Sequence, residues 1–155
     1  MRTITIGEII TDLDKTIPLS WQESYDNAGL LCGNKEEKCT GIYVCFDISE
    51  SVVEKTIANN CNLIVSHHPL VFRAMKRFTS KDNVTTTLLK AITNNIALYS
   101  SHTNLDASNP GVNTILANKL GIRNIRPLCE DTRTNEEGFF GIGGIGELDE
   151  ATELK

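Results

Sequence analysis

Long apolar runs are absent from the sequence. No stretch of about 18 consecutive apolar residues occurs, although a membrane-spanning helix needs roughly that length. Residues 1–10 contain one arginine and no apolar core of a signal peptide. We therefore expect neither a signal peptide nor a membrane span, and we expect a cytoplasmic protein.

Positive charge is also scarce. The chain has 15 Lys and Arg residues against 20 Asp and Glu residues, which gives a net charge of -5 at pH 7. Lys76, Arg77 and Lys81 form a small basic patch, which we interpret as a solvated loop. Because non-specific nucleic-acid binding relies on larger clusters of Lys and Arg, nucleic acid is not an expected partner.

Cysteine pairs with redox or zinc-site spacing are missing. The five cysteines are odd in number and include no C-x-x-C motif. Most of them stand among apolar residues typical of strands. The pattern predicts reduced, mostly buried thiols and argues against a Cys-rich zinc site.

The sequence does have the pattern of one globular α/β domain. A chain of 155 residues, 40% hydrophobic and 23% charged, is long enough to bury a core. Segments with helical period alternate with short runs of strand-forming residues, and this alternation predicts a mostly parallel sheet with flanking helices. The predicted elements are helix 6–17, strand 41–46, helix 50–59, strand 62–66, helix 84–94, strand 96–100, a helix from 109–110 to 120, and strand 123–128.

Two segments have less regular patterns. Residues 21–33 lack a period and contain Asp26 and Asn27 just before an apolar run, which predicts an ordered loop that enters a strand. Residues 139–148 alternate glycine with apolar residues, which predicts a strand whose backbone lies close to another element.

All three histidines follow predicted buried strands. His67 and His68 come directly after one strand, and His102 follows the next, with Asp106 four residues later. The carboxyl ends of parallel strands joined by one crossover helix meet at the same edge of a sheet. These side chains are therefore candidates for a shared site.

The residue types suit a divalent metal. Imidazole and carboxylate are ligands for Zn and Fe, and a carboxylate can bridge two ions. Consecutive residues of a strand point to opposite faces, so His67 and His68 share one ion only if the chain turns, as Pro69 suggests. Alternatively, each serves a different ion of a pair. From spacing alone, histidines that are simply hydrogen-bonded are an equal alternative.

Three motifs in this order resemble the GTP cyclohydrolase 1 type 2 homologue family, also called NIF-three-like proteins. The motifs are Tyr-Asp-Asn-Ala-Gly-Leu at 25–30, Asn-Leu-Ile-Val-Ser-His-His-Pro-Leu at 62–70, and His-Thr-Asn-Leu-Asp at 102–106. The resemblance covers about residues 6–148. It implies a NIF-three-like fold and a dinuclear centre of Zn, Fe or Mn.

The resemblance also implies roles for individual residues. His67, His68 and Asp106 match metal ligands of the family. His102 matches a position close to the metals, with a role in supporting the ligands or in handling protons. Asp26 and Asn27 match the family's entry loop and are expected to line the same cleft, although a purely structural turn is an equal alternative.

The sequence departs from the family pattern in one respect. Members complete the site with a His and a Glu from a C-terminal segment, but no histidine follows His102 here. The expected organisation is an N-terminal metal-binding domain over 1–148, followed at 149–155 by the start of a missing segment. The alternative is a degenerate protein that binds one metal weakly or none.

The resemblance implies two functions of different classes. The first is a metal-dependent hydrolase that acts on a nucleotide or another phosphoester, with the small-molecule substrate unidentified. The second is a non-catalytic, metal-dependent regulatory or assembly protein. In either case the full-length protein is expected to form a homo-oligomer, a toroidal hexamer.

Overall fold

The computed structural model describes residues 3–129, 131, 133 and 136–151. Within these residues the chain forms five α-helices, one 3-10 helix and six strands. They are α1 (Ile6–Thr16), the 3-10 helix (Leu19–Trp21), β1 (Gly29–Cys32), β2 (Ile42–Cys45), α2 (Glu50–Ala58), β3 (Leu63–Ser66), α3 (Asn83–Thr93), β4 (Ala97–Ser100), α4 (Thr103–Asp106), α5 (Val112–Lys119), β5 (Arg123–Pro127) and β6 (Gly144–Glu147).

The main sheet has four strands in the order β1-β4-β3-β2. Strands β2, β3 and β4 run parallel, whereas β1 pairs with β4 in the antiparallel direction. Helix α3 is the crossover that returns the chain from β3 to the adjacent parallel strand β4. The predicted α/β fold with a mostly parallel sheet and flanking helices is therefore confirmed.

The register of the parallel strands aligns their carboxyl ends. Cys45 of β2 lies opposite Ser66 of β3, and Ser66 lies opposite Ser100 of β4. Gly29, the first residue of the antiparallel strand β1, also lies opposite Ser100. The residues after β2, β3 and β4 and those before β1 therefore gather at one edge of the sheet.

Alternate residues of the central strands supply two separate cores, as expected for strands covered on both faces. Ile64 and Leu98 face the layer formed by α2 and α3, where both side chains are fully buried. Leu63, Ala97 and Tyr99 face α1. The central strands are therefore covered on both faces, by α2 and α3 on one side and by α1 on the other.

Helix α1 is well specified by its own sequence. Thr5 and Glu8 form a reciprocal capping box at its start, which satisfies backbone N–H groups that the first turn leaves unpaired. Ile6 and Ile10 then point to the sheet and are each 1% exposed. Burial of this apolar face, rather than local propensity alone, holds the helix on the sheet.

Strand β2 forms an edge of the sheet and is only partly covered. Ile42, Val44 and Phe46 are exposed by 44%, 74% and 62%. The buried cluster under α1 includes no residue of β2 among the residues that the structure describes. Phe46, the residue that follows β2, therefore remains largely exposed to solvent.

The glycine-rich segment forms strand β6, which pairs antiparallel with β5. A Cβ on Gly146 would lie 2.5 Å from Ile122 Cγ2 and 2.6 Å from the carbonyl oxygen of Arg123. This close approach confirms the predicted contact between the glycine-rich backbone and another element. Of the predicted terminal segment 149–155, residues 152–155 lie outside the described residues.

The cysteines depart from the sequence-based prediction. All five are free, as predicted, but four are half-buried and Cys129 is exposed, so the expectation of mostly buried thiols was wrong. Cys32 and Cys45 lie on β1 and β2, the edge strands, which neighbouring strands cover on one side only. None of the described helices has the length and apolarity needed to cross a bilayer.

Candidate metal centre

The chain bends immediately after β3, and this bend brings His67 and His68 to one site. The N–H groups of His67 and His68 donate to the carbonyl oxygens of Cys45 and Phe46, at 3.3 Å and 3.0 Å. The two imidazole rings then lie with their centroids 4.9 Å apart. The turn that the sequence suggested at Pro69 therefore places both rings together.

Two buried serines hold this bend in place. The hydroxyl oxygen of Ser66 lies 2.9 Å from that of Ser100 and 2.9 Å from the carbonyl oxygen of His68. The two serines are 2% and 0% exposed. Since a buried hydroxyl is costly without a hydrogen bond, this pair fixes the ends of β3 and β4 against each other.

His102 joins the same group from the end of β4. One potential ligand atom from each of His67, His68 and His102 lies within 4.8 Å of the other two. The ring centroid of His102 is 5.2 Å from that of His67 and 5.4 Å from that of His68. We call these three residues the histidine cluster. The predicted meeting of the two strand ends is therefore present.

The Nδ1 atoms of the first two histidines each face an oxygen. His67 Nδ1 lies 3.1 Å from the carbonyl oxygen of Ser101. His68 Nδ1 lies 2.7 Å from Oδ1 of Asp47, which follows β2. A carbonyl or carboxylate oxygen accepts hydrogen bonds, so both imidazoles carry their proton on Nδ1.

The third histidine is held in the same way by the loop before β1. His102 Nδ1 lies 2.7 Å from Oδ1 of Asp26. The backbone N–H of Thr103 donates to the other carboxylate oxygen at 3.0 Å, and the Thr103 hydroxyl donates to it as well. The Asp26 side chain is 0% exposed. Burial alone would raise the pKa of Asp26, but the hydrogen bonds from His102 and Thr103 outweigh burial and lower it.

Each ring of the histidine cluster thus has its Nδ1 proton committed to an oxygen. In a neutral imidazole whose proton is on Nδ1, the Nε2 atom keeps its lone pair. Imidazoles that bind metals in proteins are commonly oriented by such a bond on the opposite nitrogen. The cluster therefore offers three oriented nitrogen donors.

Asp106 lies beside the cluster on the short helix α4. Its Oδ1 is 3.7 Å from Nε2 of His67. The turn is fixed by the N–H of Asp106, which donates to the carbonyl oxygen of His102 at 3.0 Å, and by Asn113 Nδ2, which donates to the carbonyl oxygen of Asp106 at 2.8 Å. The carboxylate is therefore close enough to serve the same centre as His67.

Asn27 has a different position from its neighbour Asp26. It is exposed, and its Nδ2 donates to the carbonyl oxygen of Val71 at 2.6 Å. Asn27 thus fixes the segment that follows His68 and Pro69 rather than touching the histidine cluster. The loop at 26–27 therefore fixes both the His102 ring, through Asp26, and the segment that follows Pro69, through Asn27.

The donor set and its surroundings fit a divalent cation. Ser101 Oγ is buried and has no hydrogen-bond partner among the described residues, which leaves a polar atom unsatisfied next to the cluster. Burial lowers the pKa of His67, and the nearby His68 and His102 lower it further. Asp106 and the Ser101 carbonyl group raise the pKa, but the lowering effects are larger. A lowered pKa favours the neutral imidazole, which is the form that binds metals.

The sequence matches the family described as Duf34/NIF3 (NGG1p interacting factor 3) over residues 4–155. The chain belongs to the Duf34/NIF3 family. Two curated relatives are each called GTP cyclohydrolase 1 type 2 homolog. The protein from Clostridium acetobutylicum is 31% identical over 153 residues, and the protein from Staphylococcus epidermidis is 42% identical over 137 residues.

Solved structures of Duf34/NIF3 relatives share the fold. A Bacillus cereus protein related to NIF3 superposes with a TM-score of 0.80 at 30% identity, over 84% of this chain and 36% of that chain. Reduced HcgD from Methanocaldococcus jannaschii gives a TM-score of 0.76 at 30% identity, over 84% of this chain and 52% of that chain. The family and the fold that the three motifs implied are therefore confirmed.

The chain is shorter than these relatives. The matches cover 99% and 88% of this chain but only 56% of the Clostridium acetobutylicum protein and 36% of the Staphylococcus epidermidis protein. The chain thus spans about half, or less, of the length of the curated relatives that it matches.

One residue of the site escaped the sequence analysis. Asp47 was not singled out, although it follows β2 at the same sheet edge at which His67 and His68 follow β3. The rule that placed the histidines together would have included it. His102, predicted to lie close to the metals, is a member of the histidine cluster.

Proposed function

We propose that this site holds a divalent metal pair, of Zn, Fe or Mn, and hydrolyses a phosphoester, nucleotides included. His67, His68 and Asp106 are the proposed ligands, and His102 is the proposed proton-handling residue. The observation that carries the proposal is the common orientation of the histidine cluster, in which every Nδ1 is bonded to an oxygen. When bound, a metal pair supplies Lewis acidity, which lowers the pKa of water and neutralises an anionic substrate.

The chain's own residues orient the groups that this chemistry needs. Asp47 and the Ser101 carbonyl group hold the Nδ1 protons of His68 and His67, so these rings present Nε2 to the centre. Asp26 holds the Nδ1 proton of His102 in the same way, so that His102 can accept a proton at Nε2 and the buried carboxylate stabilises the resulting cation.

The direct test measures metal content and turnover on one sample. The full-length protein is loaded with Zn²⁺, Mn²⁺ or Fe²⁺, its bound metal is counted, and hydrolysis of bis(p-nitrophenyl) phosphate and of nucleoside phosphates is followed. About two ions per full-length chain with turnover is the expected result. Two ions without turnover would favour the non-catalytic assembly function, and the absence of bound metal would overturn the proposal.

Replacing His102 by alanine should separate proton handling from metal binding. We expect the variant to keep its metal while turnover falls by about 10²–10⁴, the usual contribution of a positioned acid or base. Metal counting and initial rates on the same preparation make the comparison. Loss of metal together with turnover would instead identify His102 as a ligand and would contradict the proposed role.

Replacing Asp26 by asparagine should lower turnover while metal binding stays close to that of the wild type. The substitution removes the carboxylate charge that would stabilise the His102 cation during proton transfer, whereas the proposed ligands His67, His68 and Asp106 keep their places. Initial rates measure the loss of turnover, and competition titration of Zn²⁺ against a chromogenic chelator measures the metal affinity. The control is Asp12→Asn, whose side chain is 79% exposed on α1, and it should match the wild type. Wild-type turnover in Asp26→Asn would contradict the role given to Asp26.

We also propose that the protein self-associates, and an exposed apolar surface on α5 supports this. Exposed apolar side chains gather on α5 and the turn that follows it: Val112, Ile115, Leu116 and Leu120, with exposures of 40–59%. A patch of this kind is typical of an interface. We propose that the full-length protein forms a homo-oligomer, the toroidal hexamer implied by the family resemblance, and sedimentation velocity would measure its size.

A further inference from the structure

Two exposed phenylalanine rings contact the histidine cluster. Phe46 stacks on His67, with centroids 5.0 Å apart and planes at 22°, and meets the edge of His68 at 4.5 Å. Phe72 meets His102 edge-on, with centroids 6.2 Å apart and planes at 90°. Phe46 is 62% exposed and Phe72 is 44% exposed. Both rings therefore present apolar area to solvent directly beside the proposed metal centre.

Core packing does not account for these rings. Neither belongs to the three buried apolar clusters of the described residues. Phe46 follows the last residue of the edge strand β2, so one face of its ring lies on His67 while most of the side chain stays open. An exposed aromatic ring loses hydrophobic stabilisation unless something covers it.

The position of Phe72 is fixed by the same loop that orients the cluster. Asn27 holds the carbonyl oxygen of Val71, the residue before Phe72, at 2.6 Å. Its neighbour Asp26 holds the His102 ring that Phe72 contacts. The adjacent residues Asp26 and Asn27 therefore place the His102 ring and the Phe72 ring next to each other.

We propose that Phe46 and Phe72 bind the aromatic ring of the substrate, so that the site selects phosphoesters that carry an aromatic or heteroaromatic group. The inference rests on the proposed function, because the phosphate group would be held at the metal centre. Aromatic rings attract each other in stacked or edge-on pairs with centroids about 4.5–7 Å apart. A substrate ring beside the phosphate would cover the open area of one or both phenylalanines.

The test compares phosphonates, which resist hydrolysis and differ only in their organic group. Phenylphosphonate, cyclohexylphosphonate and methylphosphonate are titrated calorimetrically into the metal-loaded protein. We expect phenylphosphonate to bind about fivefold more tightly than methylphosphonate, the gain typical of one well-placed ring pair, and more tightly than cyclohexylphosphonate. In Phe46→Leu and Phe72→Leu the ratio of phenyl to methyl affinity should fall towards one.

Phe78→Leu is the matched control. Phe78 is 56% exposed in the same segment between β3 and α3, and no ring contact joins it to the histidine cluster among the described residues. This variant should keep the wild-type ratio. Equal binding of phenyl- and methylphosphonate to metal-loaded wild type would overturn the inference and leave the proposed function standing. Equal binding of phenyl- and cyclohexylphosphonate would overturn selection for aromatic rings. A wild type that binds metal but no phosphonate would overturn both.

Discussion

Replacing His67 by alanine is expected to lower the affinity for Zn²⁺ by at least about 100-fold, more than outer partners of metal ligands contribute. His67 is the member of the histidine cluster that also faces Asp106, at 3.7 Å. Its removal deletes the proposed ligand that lies near both His68 and Asp106. His68→Ala should have an effect of the same order. Competition titration against a chelator, with metal counting after gel filtration, measures both.

Since all three histidines of the sequence belong to the cluster, the control must remove another kind of ring. Phe78→Ala deletes an exposed ring outside the cluster and should bind Zn²⁺ as the wild type does. Circular dichroism of each variant would show whether the fold is retained. A folded His67→Ala protein with wild-type affinity would remove His67 from the proposed ligands.

Replacing Leu98 by alanine is expected to lower the free energy of unfolding by about 2–5 kcal/mol. Leu98 is fully buried in β4, at the centre of the sheet, and packs with Ile64 and Leu88 in the core under α2 and α3. Alanine would remove the contacts with these side chains and leave a cavity in the core. Urea unfolding monitored by circular dichroism gives the change in free energy.

Leu128→Ala provides the matched comparison for the core. Leu128 is 60% exposed after β5 and lies outside the apolar patch on α5, so the same truncation removes little buried area, and the change should stay within about 0.5 kcal/mol. Similar losses in the two variants would mean that the core around Leu98 is not the main source of stability.

The alternation of helices and strands was sufficient to predict the sheet. The segments 62–66, 84–94 and 96–100 predicted a strand, a crossover helix and a parallel neighbour, and β3, α3 and β4 lie within one residue of those bounds. The signal is strong there because both strands are buried on both faces and read as continuous apolar runs. The same pattern therefore predicted that the histidines after these strands lie at one edge of the sheet.

The direction of β1 and the existence of α4 could not be predicted in this way. An antiparallel or a parallel strand can have the same apolar pattern, and β1 takes its direction from pairing with β4, far along the chain. Helix α4 has only four residues, too few for a helical period to appear. It is nevertheless the element that brings Asp106 back towards His67.

The hydrogen bonds to the imidazoles were not predicted, although Asp26 was expected in the cleft and Asp47 follows a strand that ends at the same sheet edge. Asp47 and Asp26 bind His68 and His102 across 21 and 76 residues of chain. Such pairings depend on how segments far apart in the chain come together in the fold, which the pattern around each histidine does not specify. Residue types thus predicted which side chains could bind a metal, whereas the choice of hydrogen-bond partner required the fold.

The bond between Asp26 and His102 also sets an order of events for a chain that is being synthesised. Residue 26 leaves the ribosome long before residue 102, and the loop before β1 can take its place only after β4 has formed and paired with β1. Until then an ion would meet only the adjacent His67 and His68, on a bend not yet braced by Ser100. Under the proposed function, the complete histidine cluster would therefore become available to an ion only after β4 has paired with β1.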